Sequence, residues 1–148
     1  MTSLRKTALV AGALYLLTFV SIPTLALYGA VKGAKYIVGP GPDTAAMVGG
    51  MLEMIVALAG IGAAVALFPV LKRQNEGLAL GLVGSRVPEA ATIFAGVAML
   101  LTIVSLRQAG AGSGALITGQ ALVAMYNRTF LIGQSFMPVV NDLLLGFL

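Results

Sequence analysis

A chain of 148 residues that is 59% hydrophobic and only 9% charged lies outside the range of water-soluble domains, where about a quarter of residues carry charge. Cysteine and histidine are both absent, which excludes disulfides, thiolate chemistry, histidine-ligated haem or zinc and every histidine-dependent triad. The net charge of +4 is scattered in ones and twos, without the basic stripe that nucleic acid requires, and reads as the positive flanks of membrane spans.

Arg5-Lys6 precedes an uncharged run from Thr7 to Tyr28, long enough to cross a bilayer. A basic start followed by Thr24-Leu25-Ala26 also fits a secretory signal, but the apolar run is long for one. Pro23 is expected to kink the far end of this helix, and Tyr28 and Tyr36 suit a membrane interface. Residues 31–43 form the first connection, with Lys32, Lys35 and the breaker run Gly39-Pro40-Gly41-Pro42, after which Asp43 or Thr44 makes a natural N-cap.

The second span runs from about Ala45 to Leu71. Ala46, Gly50, Glu53, Ala57, Gly60 and Ala64 recur at spacings of four and three, so they share one face on which another helix can approach closely. Glu53 therefore faces protein rather than lipid. Met47, Met51 and Met54 read as packing residues, not ligands.

Lys72-Arg73-Gln74-Asn75-Glu76 is a polar turn, and the third span extends from about Gly77 to Leu106. Within it, Gly84-Ser85-Arg86-Val87-Pro88-Glu89 sets charges among apolar neighbours, where they must be paired or line a polar cavity. Pro88 frees the carbonyl of Gly84 and predicts a kink or a break. Arg107 to Gly114 is a loop. Residues 115–126 read as a surface or re-entrant helix if Asn127-Arg128 lies at an interface. A fourth span, 129–148, carries Gln134, Pro138, Asn141 and Asp142 and stops straight out of an apolar run, as a truncated chain would.

Several stretches resemble a bacterial family of multi-pass membrane proteins, domain of unknown function 4386. They are Leu4-Arg5-Lys6-Thr7-Ala8, Tyr36-Ile37-Val38-Gly39-Pro40-Gly41, and above all the run from Ala66 to Gly77 with its Pro69-Val70-Leu71-Lys72-Arg73-Gln74-Asn75-Glu76, followed by Arg86 and Glu89. Gly119-Gln120-Ala121-Leu122-Val123 and the Asn-containing fourth span are also similar. The resemblance implies membrane residence and a helical bundle that continues past Leu148 with basic residues and further spans. It implies no activity, substrate or catalytic residue.

Depth follows from helix rise. Glu53 stands about 27 Å from the polar turn, Arg86 about 16 Å, and Asp142 about 9 Å from the same side, at 1.5 Å per residue. Arg86 and Glu89, three apart, can pair within their helix, and Arg86 is long enough to reach towards Glu53. In a structural account these charges form an ion network that fixes packing register. In a site account, one arginine cannot neutralise two carboxylates, so one acid is left to exchange protons or meet a cationic or polar ligand. A cavity lined by Glu53, Arg86 and Glu89 favours the site; a dry, fully paired cluster favours structure.

The expectation is an all-α, polytopic transmembrane bundle in one domain, with spans near 7–28, 45–71, 77–106 and 129–148 and a short interfacial helix. The first functional reading is a structural or interaction module of the membrane. The alternative is a small proton-coupled transporter or ligand-binding protein using Glu53, Arg86, Glu89 and Asp142. An enzyme is the least supported class, and no cofactor or metal is expected. The expected partners are the bilayer and a second copy or another membrane protein. Arg5, Lys6, Lys72 and Arg73 place the N-terminus on the cytoplasmic side of a bacterial inner membrane.

Overall fold

A computed structural model describes residues 3–110 and 112–148. The described residues form helices and turns, with no strand among them: α1 (Ser3–Thr18), α2 (Ser21–Tyr28), 3-10 turns at Gly29–Lys32 and Tyr36–Val38, α3 (Asp43–Leu71), α4 (Glu76–Gln108), α5 (Ala115–Phe130), a π turn (Leu131–Phe136) and α6 (Met137–Gly146). Three stretches, Leu4–Lys32, Asp43–Leu71 and Glu76–Gln108, are long and apolar enough to cross a membrane. With α5, the π turn and α6 following one another directly, the described residues make four rods.

The first rod breaks at Phe19-Val20, one turn earlier than Pro23 itself. The reason is local. Pro23 has no N–H for the carbonyl of Phe19 and its ring crowds that carbonyl, so Ile22 N–H takes it instead at 3.2 Å. Pro88 has a milder effect, because α4 runs unbroken from Glu76 to Gln108. The two half-helices that a break would give are not formed. The N-cap of α4 is Asn75, whose side chain accepts from Leu78 N–H at 3.1 Å.

In α3, neither Asp43 nor Thr44 is the cap. The helix begins at Asp43 after Pro42, and the Asp43 carboxylate is instead engaged by Arg107 and Tyr36. The six small or acidic residues of the expected α3 stripe are all buried. Gly50 lies against Val97 and Gly60 against Arg86, so this stripe faces α4. A second small face, with Gly49 against Tyr28 and Gly62 against Leu14, receives the first rod. Met54 packs with Ala57, whereas Met47 and Met51 are exposed.

The fourth rod differs from its expected division. No break occurs at Asn127-Arg128, and the interfacial helix is instead the first half of a longer rod. Asn127 and Arg128 leave from its exposed side while Tyr126 turns into the core, so the pair does not end the helix. The irregularity falls at Leu131–Phe136. Pro138 withdraws the donor for the Gln134 carbonyl, and Gly133 sits so close to Thr92 and the Glu89 carbonyl that a side chain there would overlap the Thr92 hydroxyl.

Tyr28 and Tyr36 are core residues, 1% and 6% exposed, rather than interfacial ones. They pack with Val31, Ile37, Leu100, Ile103 and Tyr126 in the larger core cluster. The outward surface carries Leu9, Leu16, Leu58, Leu80 and Phe136, a face suited to lipid.

Candidate functional site

Glu53 is fully buried near the middle of α3, and its partners are neutral. The Thr24 hydroxyl from α2 hydrogen-bonds Oε1, and Gln134 Nε2 from the π turn donates to Oε2 at 2.7 Å. The carboxylate thus joins the first, second and fourth rods. Beside it stand Tyr28 and Tyr126, whose hydroxyls lie 3.4 Å apart.

Arg86 does not reach Glu53. Its guanidinium lies over Gly60, two turns further along α3, or about 10 Å by helix rise. Nη1 donates to both oxygens of Glu89, at 3.1 and 2.9 Å, as the three-residue spacing allows. Asn141 Nδ2 donates to Glu89 Oε2 at 2.6 Å, and Ser85 Oγ lies 2.5 Å from Asn141 Oδ1. Ser85, Asn141, Glu89 and Arg86 thereby form one chain between α4 and α6. Arg86 Nε is buried without a hydrogen-bond partner, so one donor of the chain is unused.

Two clusters exist where one was expected. They meet at a cleft of about 320 Å³ between the first rod and α6, with α3 and α4 behind it. Glu53, Arg86, Glu89 and Asp142 all contribute to its lining, together with Gln134. Glu53 stands behind its bonded partners; Arg86 and Glu89 have side chains 15% and 14% exposed. Asp142 is exposed at the rim and has no ion-pair partner among the described residues. Apolar walls come from Val56, Ile93, Phe130 and Leu145.

Thr24 carried no usable signal in the sequence, since a threonine in an apolar helix is ordinary. Gln134 and Asn141 did carry one, as amides seven apart in an apolar run, but their partners depend on the π turn. No group of three or more acidic side chains close enough to hold a metal ion occurs among the described residues.

Four apolar rods enclosing a buried carboxylate network and an acid-rich cleft define an all-helical bundle of the kind that can span a membrane. The profile of a domain of unknown function, DUF4386, matches residues 10–148, and the chain belongs to that family. No curated protein and no solved structure matches it.

Proposed function

We propose that the protein is an integral membrane protein whose cleft binds, and as a carrier would pass, a small organic cation with an apolar portion. The observation that carries this reading is the cleft itself, where three carboxylates stand against one guanidinium. Because Arg86 is matched by Glu89, the remaining field comes from Asp142 at the rim, and it favours positive charge. The volume suits a small ligand, and Ile93, Phe130 and Leu145 suit an apolar body. The cytoplasmic N-terminus in a bacterial inner membrane is part of the same proposal, supported by Arg5, Lys6, Lys72 and Arg73 at one end of the rods.

Benzyltrimethylammonium is a suitable probe, with its neutral carbon isostere as control. Titrated into the detergent-purified protein, it should bind saturably, and Asp142→Asn should weaken it severalfold, as loss of one exposed charge contact implies. Equal binding of the isostere, or unchanged binding in Asp142→Asn, would remove the basis of this reading.

A second reading is supported by Glu53. A carboxylate held only by neutral donors from two other rods serves to join them, as in a structural or interaction module whose partners are lipid, a second copy or another membrane protein. In that case the probe would bind nowhere and the effect of Glu53 variants would be confined to stability.

A further inference from the structure

At the end of the molecule where Leu4–Lys32 and Glu76–Gln108 finish, a separate cavity of about 210 Å³ lies between the first connection and α5. Its lining divides by chemistry. Lys32, Gln120 and Asn127 supply polar groups; Val31, Ile103 and Val123 supply an apolar floor. Lys32 closes the 3-10 turn after α2, and its Nζ lies 5.3 Å from the centroid of the Tyr126 ring. That contact steadies the ammonium without neutralising it. Neither ion pair among the described residues involves Lys32. Gln120 and Asn127 are exposed and seven apart on α5, so their amides stand along one helix face.

We propose that this cavity binds the headgroup of an anionic phospholipid. A phosphate oxygen would accept from the Lys32 ammonium, and its neighbours from the Gln120 and Asn127 amides, all groups with donors to offer. The floor decides between a lipid and a free anion. Val31 and Ile103 are each only 1% exposed, and Ile103 lies five residues inside the end of α4, about 7 Å by helix rise. An acyl chain entering from the same leaflet can lie against the half-buried Val123, with Ile103 sealed beneath it, whereas inorganic phosphate gains nothing there. Placement at the span ends, opposite the end that carries Arg5 and Lys72, puts the ammonium at headgroup level, where it can meet a lipid phosphate directly. The inference is independent of the cation-binding cleft, with which this cavity shares no lining residue.

The test uses the full chain in detergent, titrated with dioctanoyl phosphatidylglycerol, dioctanoyl phosphatidylcholine or inorganic phosphate. Thermal unfolding and tyrosine emission are both followed, since the chain has no tryptophan to mask Tyr126. Phosphatidylglycerol should raise the unfolding midpoint and change the emission, with phosphatidylcholine and phosphate giving much smaller effects. Lys32→Gln should weaken the phosphatidylglycerol response by about tenfold, and Lys32→Arg should preserve it. Equal responses to the two lipids, a full response to phosphate alone, or an unchanged response in Lys32→Gln overturns the proposal. Should Lys32→Gln fail to fold, the exposed Asn127→Ala carries the test: weaker binding is expected, and full affinity overturns it.

Discussion

Gln134 Nε2 donates to Glu53 Oε2 at 2.7 Å across the contact between the π turn and α3. The bond spans 81 positions in sequence and ties the fourth rod to the second at a point where Thr24 ties in the first. A regular α-helix through residues 131–136 would turn the amide to a different azimuth. The π turn is therefore the local irregularity on which this junction depends.

Truncating Glu53 to alanine should leave the Gln134 amide without its acceptor and open a void, while the Thr24 hydroxyl keeps the Ser21 carbonyl at 2.6 Å. A donor left without an acceptor costs about 1–3 kcal/mol, and the void adds to this, so the unfolding midpoint in detergent should fall. Gln134→Leu, which removes one donor and leaves Thr24 in place, should cost less. A Glu53→Ala protein as stable as wild type would show that the junction is not what holds the rods together.

Arg86 and Glu53 line one cleft yet make no contact, and this can be measured. The double-mutant cycle of Glu53→Gln with Arg86→Met should be additive within about 0.5 kcal/mol, as for residues without shared partners. The cycle of Arg86→Met with Glu89→Gln should instead show coupling, because each single change strands a charge of the pair. Strong coupling in the first cycle would mean that the arginine reaches the α3 carboxylate after all.

The periodicities in the sequence account for much of this architecture. Ala46 to Ala64 at spacings of four and three marked the face of α3 that packs, and all six residues are buried. The pairing of Arg86 with Glu89 followed from their spacing alone. What spacing could not supply was azimuth between helices. Reach by length would let Arg86 approach Glu53, but the α3–α4 packing sets it over Gly60. Likewise Asn127-Arg128 looks like an interface because of its polarity, while in the folded chain one exposed helix face absorbs it. The amphipathic ring of Tyr36 suits an interface, but its hydroxyl is satisfied inside by Asp43, a partner that only the folded loop brings near.

That loop is held by Arg107. Its Nη1 and Nη2 donate to the carbonyls of Gly39 and Gly41 at 2.7 and 3.1 Å, and its Nε to Asp43 Oδ1 at 2.9 Å. Three acceptors in fixed directions need a planar fork, which an ammonium does not provide. Arg107→Lys should therefore keep the charge but release the 33–42 segment. The expected result is faster amide hydrogen exchange in that segment with little change in the centres of α3 and α4. Unchanged exchange would mean that the glycine and proline backbone is rigid without the arginine.

The same loop should make stability depend on alkaline pH. Burial, and its hydrogen bond to the Asp43 carboxylate at 2.5 Å, push the Tyr36 phenol up to about 12 from an ordinary value of 10.0. The folded state therefore holds this proton more tightly than the unfolded chain does. The stabilisation is fully present below about 10 and is lost as pH rises through about 12, where a phenolate would face a carboxylate. Unfolding midpoints measured across that window should decline for the wild type. Tyr36→Phe has no such proton to lose and should decline less steeply. It should also start from a lower midpoint, because Asp43 loses one of its donors. Parallel slopes for the two proteins would place the alkaline sensitivity elsewhere and leave Tyr36 with a packing role against Arg107, whose guanidinium lies 5.2 Å from its ring centroid.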